Sequence, residues 1–294
     1  MGLELQPGDK IAFLGVGQMG VYMADRLAQA GYNVVGWTRT PRNRDGSPRF
    51  EMAKSANDAI KHAKAVIVCL RDEVAVHEAL FKTGNYRALD AGAIVIDMGT
   101  SGPEAARLHD DVLGTVDVAY LDAPVSGGTV GAREGTLSIF VGGTQETFGR
   151  VRSMMRSMGN PFYIGKVGSG QAAKLANQII VGVTIAAVAE GLAYAESRGI
   201  DPGVLLEALE GGFAGSRVLK IHGPRMAARD YSAPGAVRLH LKDLRLAAMS
   251  DGLDQLPHAR LVKAGFERLS VMGQDGLDHS AYAKLYHAVG DSDE

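Results

Sequence analysis

A chain of 294 residues with one cysteine, Cys69, can form neither an internal disulfide nor a thiolate cluster, which agrees with a reducing compartment. It has no excess of one charge either. Its 31 basic and 33 acidic residues leave a formal net charge of −2, so no field draws it to a polyanion, and nucleic acid is not an expected partner. The eight histidines include no pair three to five residues apart, so local spacing offers no zinc site and no metal is expected. No segment reaches about 18 uninterrupted apolar residues, and the first ten residues include polar and charged ones ahead of the first apolar run. The expectation is a cytoplasmic chain with no membrane partner. The strict triplet of collagen is missing too, although glycine is abundant at 38 of 294 residues, about 13% against a usual ~7%. What is present is ordinary globular material, 46% hydrophobic and 22% charged, long enough for two domains of about 150 residues each.

Short apolar runs alternate with helical stretches over residues 11–14, 33–38, 65–70, 93–97, 118–122, 137–141 and 162–164. That alternation predicts βαβ units on a mostly parallel, doubly wound sheet. After Gly165 the strand pattern stops. Residues 171–198 form one proline-free run rich in alanine and aliphatics that ends at Arg198-Gly199, as a helix with a glycine stop does. Further helices are predicted over 202–209, 235–249, 257–272 and 280–289. The expected organisation is an α/β domain over 1–165 and an all-α domain over 166–294, joined at Gly165–Gly170. The loop between Arg39 and Phe50 is heavy in Arg, Pro and Gly, and the acidic tail 291–294 is expected to fray.

The first strand leads directly into Gly15-Val16-Gly17-Gln18-Met19-Gly20, followed by a helical pattern to Ala30. In such a loop the first glycine makes a tight turn, the second lets a pyrophosphate approach the backbone, and the third lets helix and strand pack closely. The helix N-terminus then attracts the anion. Strand before, helix after and βαβ continuation all point to a dinucleotide rather than to a bare glycine turn. NAD sites usually place an acid about 20 residues on to hold the ribose 2′-hydroxyl. Here the second strand ends in Gly36-Trp37-Thr38-Arg39-Thr40, with Arg42 and Arg44 beyond and no acid. Arg39 can pair a 2′-phosphate and stack on adenine while Thr38 and Thr40 donate hydroxyls, so NADP is expected and NAD is the second choice. The plainer alternative is a solvated basic loop.

Three further segments make the chain resemble the β-hydroxyacid dehydrogenase family, which includes 3-hydroxyisobutyrate dehydrogenases, tartronate semialdehyde reductases and glyoxylate/succinic semialdehyde reductases. They are Asp122-Ala123-Pro124-Val125-Ser126-Gly127-Gly128, the stretch Gly168-Ser169-Gly170-Gln171-Ala172-Ala173-Lys174-Leu175-Ala176-Asn177, and Lys242-Asp243-Leu244. With the glycine loop they occur in family order and span nearly the whole chain. The resemblance implies a Rossmann domain joined by a long helix to an all-helical domain. It also implies metal-independent, NAD(P)-dependent interconversion of a 3-hydroxyacid and its semialdehyde, in a homodimer or homotetramer. It gives the substrate carboxylate to Ser126, Gly127 and Gly128, places Thr100 near the nicotinamide or its ribose, and brings Lys242 beside the nicotinamide facing that carboxylate.

Hydride transfer at a nicotinamide leaves the protein to hold the substrate carbon and manage the hydroxyl proton. Lys174 suits that task. On a helix, Gly170, Gln171, Lys174, Asn177 and Gln178 share one face through i+3 and i+4 spacing. Glycine there admits a ligand, the lysine reaches the reacting oxygen, and Asn177 with Gln178 orients the substrate. A partly dry cleft among alanines is expected to lower the lysine pKa toward the working pH. Leu70, Arg71 and Asp72 end the third predicted strand and are candidates for lining the cofactor cleft, Cys69 reads as a small core residue in mid-strand, and Asp122 as a shaper of its loop rather than an acid. Met154, Met155 and Met158 read as core filler on a helix. Arg217, Arg238 and His240 are candidates for selecting a second anionic group. Gly99-Thr100-Ser101-Gly102-Pro103 is not a nucleophile elbow, because the last glycine is replaced by proline. Two other readings are an imine reductase-like NADPH enzyme, a group that generally lacks the lysine, and a non-catalytic NADP-binding module.

Overall fold

The computed structural model describes residues 3–40, 49–249 and 255–287. Arg42, Arg44 and the tail 291–294 lie outside them. Contacts divide the chain into two compact units, Met1–Lys174 and Leu175–Glu294.

The first unit is a Rossmann domain. Its elements are β1 (Lys10–Leu14), α1 (Gly20–Gln29), β2 (Asn33–Trp37), β3 (Glu51–Met52), α2 (Ala56–Ile60), β4 (Ala65–Val68), α3 (Glu73–Val76), β5 (Ile94–Asp97), α4 (Pro103–Gly114), β6 (Ala119–Asp122), β7 (Val125–Ser126), α5 (Gly128–Glu134), β8 (Leu137–Gly142), α6 (Gln145–Arg156) and β9 (Gly159–Gly165). A single π turn, His77–Phe81, prolongs α3. The strands form one sheet in the order β3-β2-β1-β4-β5-β6-β8-β7, with β9 paired to β8. β1 through β6 are parallel, and β8 runs antiparallel to β6 and β7.

In the central strands β1, β4 and β5 side chains alternate across the pleat and both faces are buried, which is why these runs read as apolar. Ile11, Phe13, Ile67, Ile94 and Ile96 enter one core cluster, and Ala12, Leu14, Val66, Val68 and Val95 enter the other. Met154, Met155 and Met158 are buried in the first. β3 and β7 span two residues each, too short for periodicity to reveal. β2 stops at Trp37 and β4 at Val68, so Thr38, Cys69 and Leu70 stand in loops at the carboxyl edge of the sheet. Cys69 is therefore partly buried just past its strand rather than inside it, and burial pushes its thiol up to about 12.

Helix α7 (Ser169–Glu196) carries the division between the units. By length and composition it could span a membrane. Its residues Ile185, Val188, Ala189 and Leu192 are instead core to the second unit. That unit continues with α8 (Pro202–Glu210), α9 (Arg217–Ala227), α10 (Val237–Met249), α11 (Pro257–Val271), a 3₁₀ turn His279–Ala283 and α12 (Lys284–His287). The predicted single helix over 280–289 is thus a 3₁₀ turn with a short helix after it. α9 was not legible because Gly223-Pro224 reads as a breaker. The helix holds Pro224 in its interior and loses one backbone bond, while Ser216 caps its start by accepting from Leu219 N at 2.9 Å.

Histidines scattered in sequence gather in this unit. His279 Nε2 lies 3.1 Å from His222 Nε2, and His279 Nδ1 lies 3.4 Å from His240 Nδ1. His222, Asp278 and His279 bring ligand-type atoms within 4.8 Å of one another, a grouping that spacing along the chain could not show. The guanidinium of Arg225 stands 3.3 Å from His222 Nδ1 and 3.5 Å from Asp278, so a fixed cation already occupies the anionic side of the cluster. Its role is to join α9, α10 and the 3₁₀ turn. His240, read from the sequence as a candidate for selecting an anionic group, is buried and stacked on Phe266 at 4.9 Å.

Burial, followed by the charges of its neighbours, lowers the His279 pKa to about 3. Between pH 6.5 and 3 the unfolded chain therefore binds a proton that the folded chain refuses. Stability from this group is complete above pH 6.5 and declines as the pH falls through that window. Going from pH 7 to pH 5 should cost about 2 kcal/mol through His279 alone. Urea midpoints at the two pH values should show His279→Gln losing less than the unaltered protein; equal losses would sink the assignment.

Candidate active site

The glycine loop sits between β1 and α1 with each glycine doing a different job. Gly15 has φ +106°, donates to Trp37 O at 2.8 Å, and leaves no room for a Cβ, which would strike the Cys69 carbonyl. A Cβ on Gly20 would strike the Gly15 carbonyl. At Gly17 the nearest protein atom to an added Cβ is Gly15 O at 3.9 Å, so this is the face left open for a ligand. α1 begins with no acidic residue and no side-chain cap in its first turn. Its N–H groups and positive dipole end thus face the loop without an acidic side chain from the helix's own first turn. Val16 is buried in the core, Gln18 is exposed and Met19 half-buried. Gly17→Val should fold with stability nearly unchanged yet bind NADPH at least tenfold more weakly, by fluorescence titration, because the added methyl groups enter ligand space. Unaltered binding would remove the pyrophosphate from this loop.

A cavity of about 370 Å³ opens beside the loop, lined by Gly17, Trp37, Thr38, Arg39, Thr40, Leu70, Arg71, Ala75, Glu78 and Ala79. Five residues named from sequence (Gly17, Thr38, Arg39, Thr40 and Leu70) meet here, as does Arg71. Asp72 does not line it. Its carboxylate caps α3 by accepting from Ala75 N at 2.9 Å and pairs with Arg71 Nε at 2.6 Å. Sequence reasoning missed Trp37, Ala75, Ala79 and above all Glu78, whose Oε2 accepts from Arg39 Nη1 at 2.8 Å. A weakly hydrated guanidinium next to an apolar wall of Leu70, Ala75 and Ala79 suits a purine with phosphate or hydroxyl at its sugar. The loop and this cavity fit a nicotinamide dinucleotide.

Two buried aspartates end neighbouring parallel strands, Asp97 on β5 and Asp122 on β6. Asp97 accepts from Gly99 N and Ser101 Oγ, each at 2.9 Å, and so folds the loop that carries Thr100. Asp122 accepts from Gly168 N at 2.9 Å and Gln171 N at 2.8 Å, which fixes the start of α7. It thus acts on the helix start rather than on its own loop. Burial raises its pKa to about 6 against the pull of those two N–H groups and of its own backbone N–H. Gln171 closes the arrangement: its side-chain oxygen accepts from Ser101 N at 3.1 Å and Gly102 N at 3.3 Å, and its amide donates to Gly99 O at 3.0 Å.

Gln171 is therefore fully buried and not part of a ligand face with Lys174. Gly170 likewise serves close packing, since a Cβ there would meet the carbonyls of Phe140 and Asp122. Lys174, one turn further along α7, is 9% exposed, and Thr100 is half-buried. In the other motif Ser126 is half-buried, Gly127 and Gly128 are exposed, and α5 starts at Gly128 with no side-chain cap. Gly127 at φ +133° and Gly128 at φ +63° put the chain in a turn that other residues rarely adopt.

In the second unit, Asn177 Nδ2 donates to Gln178 Oε1 at 3.0 Å and Gln178 Nε2 donates to Asp243 Oδ2 at 2.6 Å. Lys242 Nζ pairs with Asp243 Oδ1 at 3.0 Å. Asn177, Gln178 and Lys242, three residues named from sequence, are thereby joined through Asp243, which sequence reasoning assigned no function. Arg217 and Arg238 are exposed.

Residues 10–168 match the family described as the NAD binding domain of 6-phosphogluconate dehydrogenase, and residues 168–286 match the NAD-binding of NADP-dependent 3-hydroxyisobutyrate dehydrogenase. The chain is 38% identical over 280 residues to 2-hydroxy-3-oxopropionate reductase of Escherichia coli, covering 92% of this chain and 95% of that one. It is 35% identical to the 3-hydroxyisobutyrate dehydrogenase of Pseudomonas aeruginosa, over 94% of this chain and 98% of that one. Among solved structures, Mycobacterium tuberculosis 3-hydroxyisobutyrate dehydrogenase with L-serine superposes with a TM-score of 0.84 at 28% identity, covering 96% of this chain and 99% of that one.

Proposed function

The chain belongs to the β-hydroxyacid dehydrogenase family, and from that premise we propose that it is an NADP-preferring oxidoreductase interconverting a small 3-hydroxyacid and its semialdehyde, with Lys174 as general acid/base. The observation that carries this reading is a lysine only 9% exposed, one helical turn from Gln171, on a helix start that two buried side chains anchor to the sheet edge. A solvated surface lysine needs no such anchoring. When bound, the nicotinamide supplies the acceptor or donor of hydride. Lys174 Nζ takes the substrate hydroxyl proton as the carbinol hydrogen leaves as hydride, and it returns a proton to the carbonyl oxygen in the reverse direction. Ser126 with the Gly127 and Gly128 backbone, at the uncapped start of α5, is the proposed seat of the substrate carboxylate. Gly15 to Gly20 hold the pyrophosphate, Thr38, Arg39 and Thr40 the 2′-phosphate, and Leu70 and Thr100 border the cofactor. For Asn177 and Gln178 the helix face shared with Lys174 supplies the proposed role of substrate orientation, and for Lys242 the family motif supplies cofactor contact.

The test is a panel of three- and four-carbon semialdehyde acids, each mixed with the protein and NADPH or NADH while absorbance at the nicotinamide band is followed. Turnover of at least one, with the larger kcat/KM for NADPH, is the expected outcome. Cofactor binding without turnover of any member would make the chain a binding module, and equal kcat/KM with both cofactors would remove the NADP preference.

A further inference from the structure

The second strand ends without the acid that holds the ribose 2′-hydroxyl in NAD sites, yet a carboxylate reaches the same cavity from elsewhere. Glu78, in the π turn after α3, lines the cavity with Arg39 and Gly17, and its Oε2 lies 2.8 Å from Arg39 Nη1. Among the described residues the other charged one lining the cavity is Arg71, which is engaged by Asp72 at 2.6 Å. We propose that Glu78 is a specificity-determining residue that sets the balance between NADP and NAD, a role resting on the dinucleotide and Arg39 reading above.

The physical argument turns on what each ribose presents. A 2′-phosphate carries roughly −1.5 to −2 charges and three acceptor oxygens, and it competes with Glu78 for the Arg39 guanidinium. It then faces a like-charged carboxylate in the same cavity. A 2′-hydroxyl is a donor, so Glu78 can accept from it while keeping Arg39, as an acid at the strand end does in NAD sites. The Arg39 and Glu78 side chains are 66% and 42% exposed, and exposed pairs of this kind are weakly held, so a phosphate can displace the carboxylate. Glu78 thus lowers the preference for NADP that Arg39 creates without abolishing it, and the chain takes both cofactors in a ratio set by this one charge.

The test is equilibrium binding to the full-length protein, using NADPH and NADH fluorescence, with adenosine 2′,5′-bisphosphate and 5′-AMP as competitors that isolate the 2′-phosphate. Glu78→Gln keeps the shape and removes the charge. It should bind NADPH and the bisphosphate roughly fivefold more tightly, and NADH about twofold or more weakly. Circular dichroism checks that it folds. A variant whose NADPH to NADH affinity ratio equals that of the unaltered protein would overturn the proposal and leave Glu78 a surface ion-pair partner. Arg39→Leu, measured alongside, judges the underlying reading separately. Unaltered NADPH affinity in that variant overturns the 2′-phosphate assignment of Arg39, while the ratio in Glu78→Gln still decides the role of Glu78.

Discussion

Replacing Lys174 by methionine should lower kcat by about three orders of magnitude while NADPH affinity stays within about twofold. Methionine fills nearly the same buried volume with no titratable group, so the change removes the proton carrier and little packing. The side chain is 9% exposed, and its helix start is tied to the sheet edge through Asp122 and Gln171, which the substitution leaves in place, so the fold should survive. Thermal unfolding and fluorescence titration establish both controls. Retained turnover with a fully folded, cofactor-binding variant would take Lys174 out of the chemistry.

The second large effect is expected at Gln171, which no reading of the motif singled out for structure. Its side chain serves two backbone N–H groups and one carbonyl of residues 99–102, all buried. Gln171→Met leaves those three groups without partners at similar volume. At about 1–3 kcal/mol for each unsatisfied buried group, stability should fall by about 4 kcal/mol, seen as a lower urea midpoint. The same contacts tie the loop of Thr100 to the helix start that precedes Lys174. kcat should therefore fall together with stability at temperatures where the variant is still folded, with a smaller change in KM. Gln171→Glu would not restore activity: its carboxylate would sit buried near Asp97 and Asp122 and oppose the Gly99 carbonyl. A stable, fully active Gln171→Met variant would show the clasp to be dispensable.

Most of the Rossmann unit could be read from the chain because its central strands β1, β4 and β5 are buried on both faces and therefore appear as apolar runs. The turn at Gly15 and the close packing at Gly20 were equally legible, since a positive φ and a missing Cβ are properties of single positions within one turn. Glycine elsewhere was harder to interpret. Gly170 reads as an opening for a ligand, but it stands where α7 packs on the carbonyls of Phe140 and Asp122. α9 escaped detection because a capped and packed helix can absorb Pro224, a gain invisible to local propensity.

By itself the sequence determined what contiguous residues can express: the alternation of strand and helix, and the glycine turn between β1 and α1. The tertiary structure decided which distant residues meet. Glu78 reaches Arg39 across 39 positions, and Gln171 reaches the 99–102 loop across 69 to 72. His222, His240 and His279 converge from three separate elements. Steric rules act along a few bonds and leave their mark in order and spacing. Charge pairing and the satisfaction of buried N–H groups act through space, and the order of parallel strands, β2-β1-β4-β5-β6, brings those partners to one edge of the sheet.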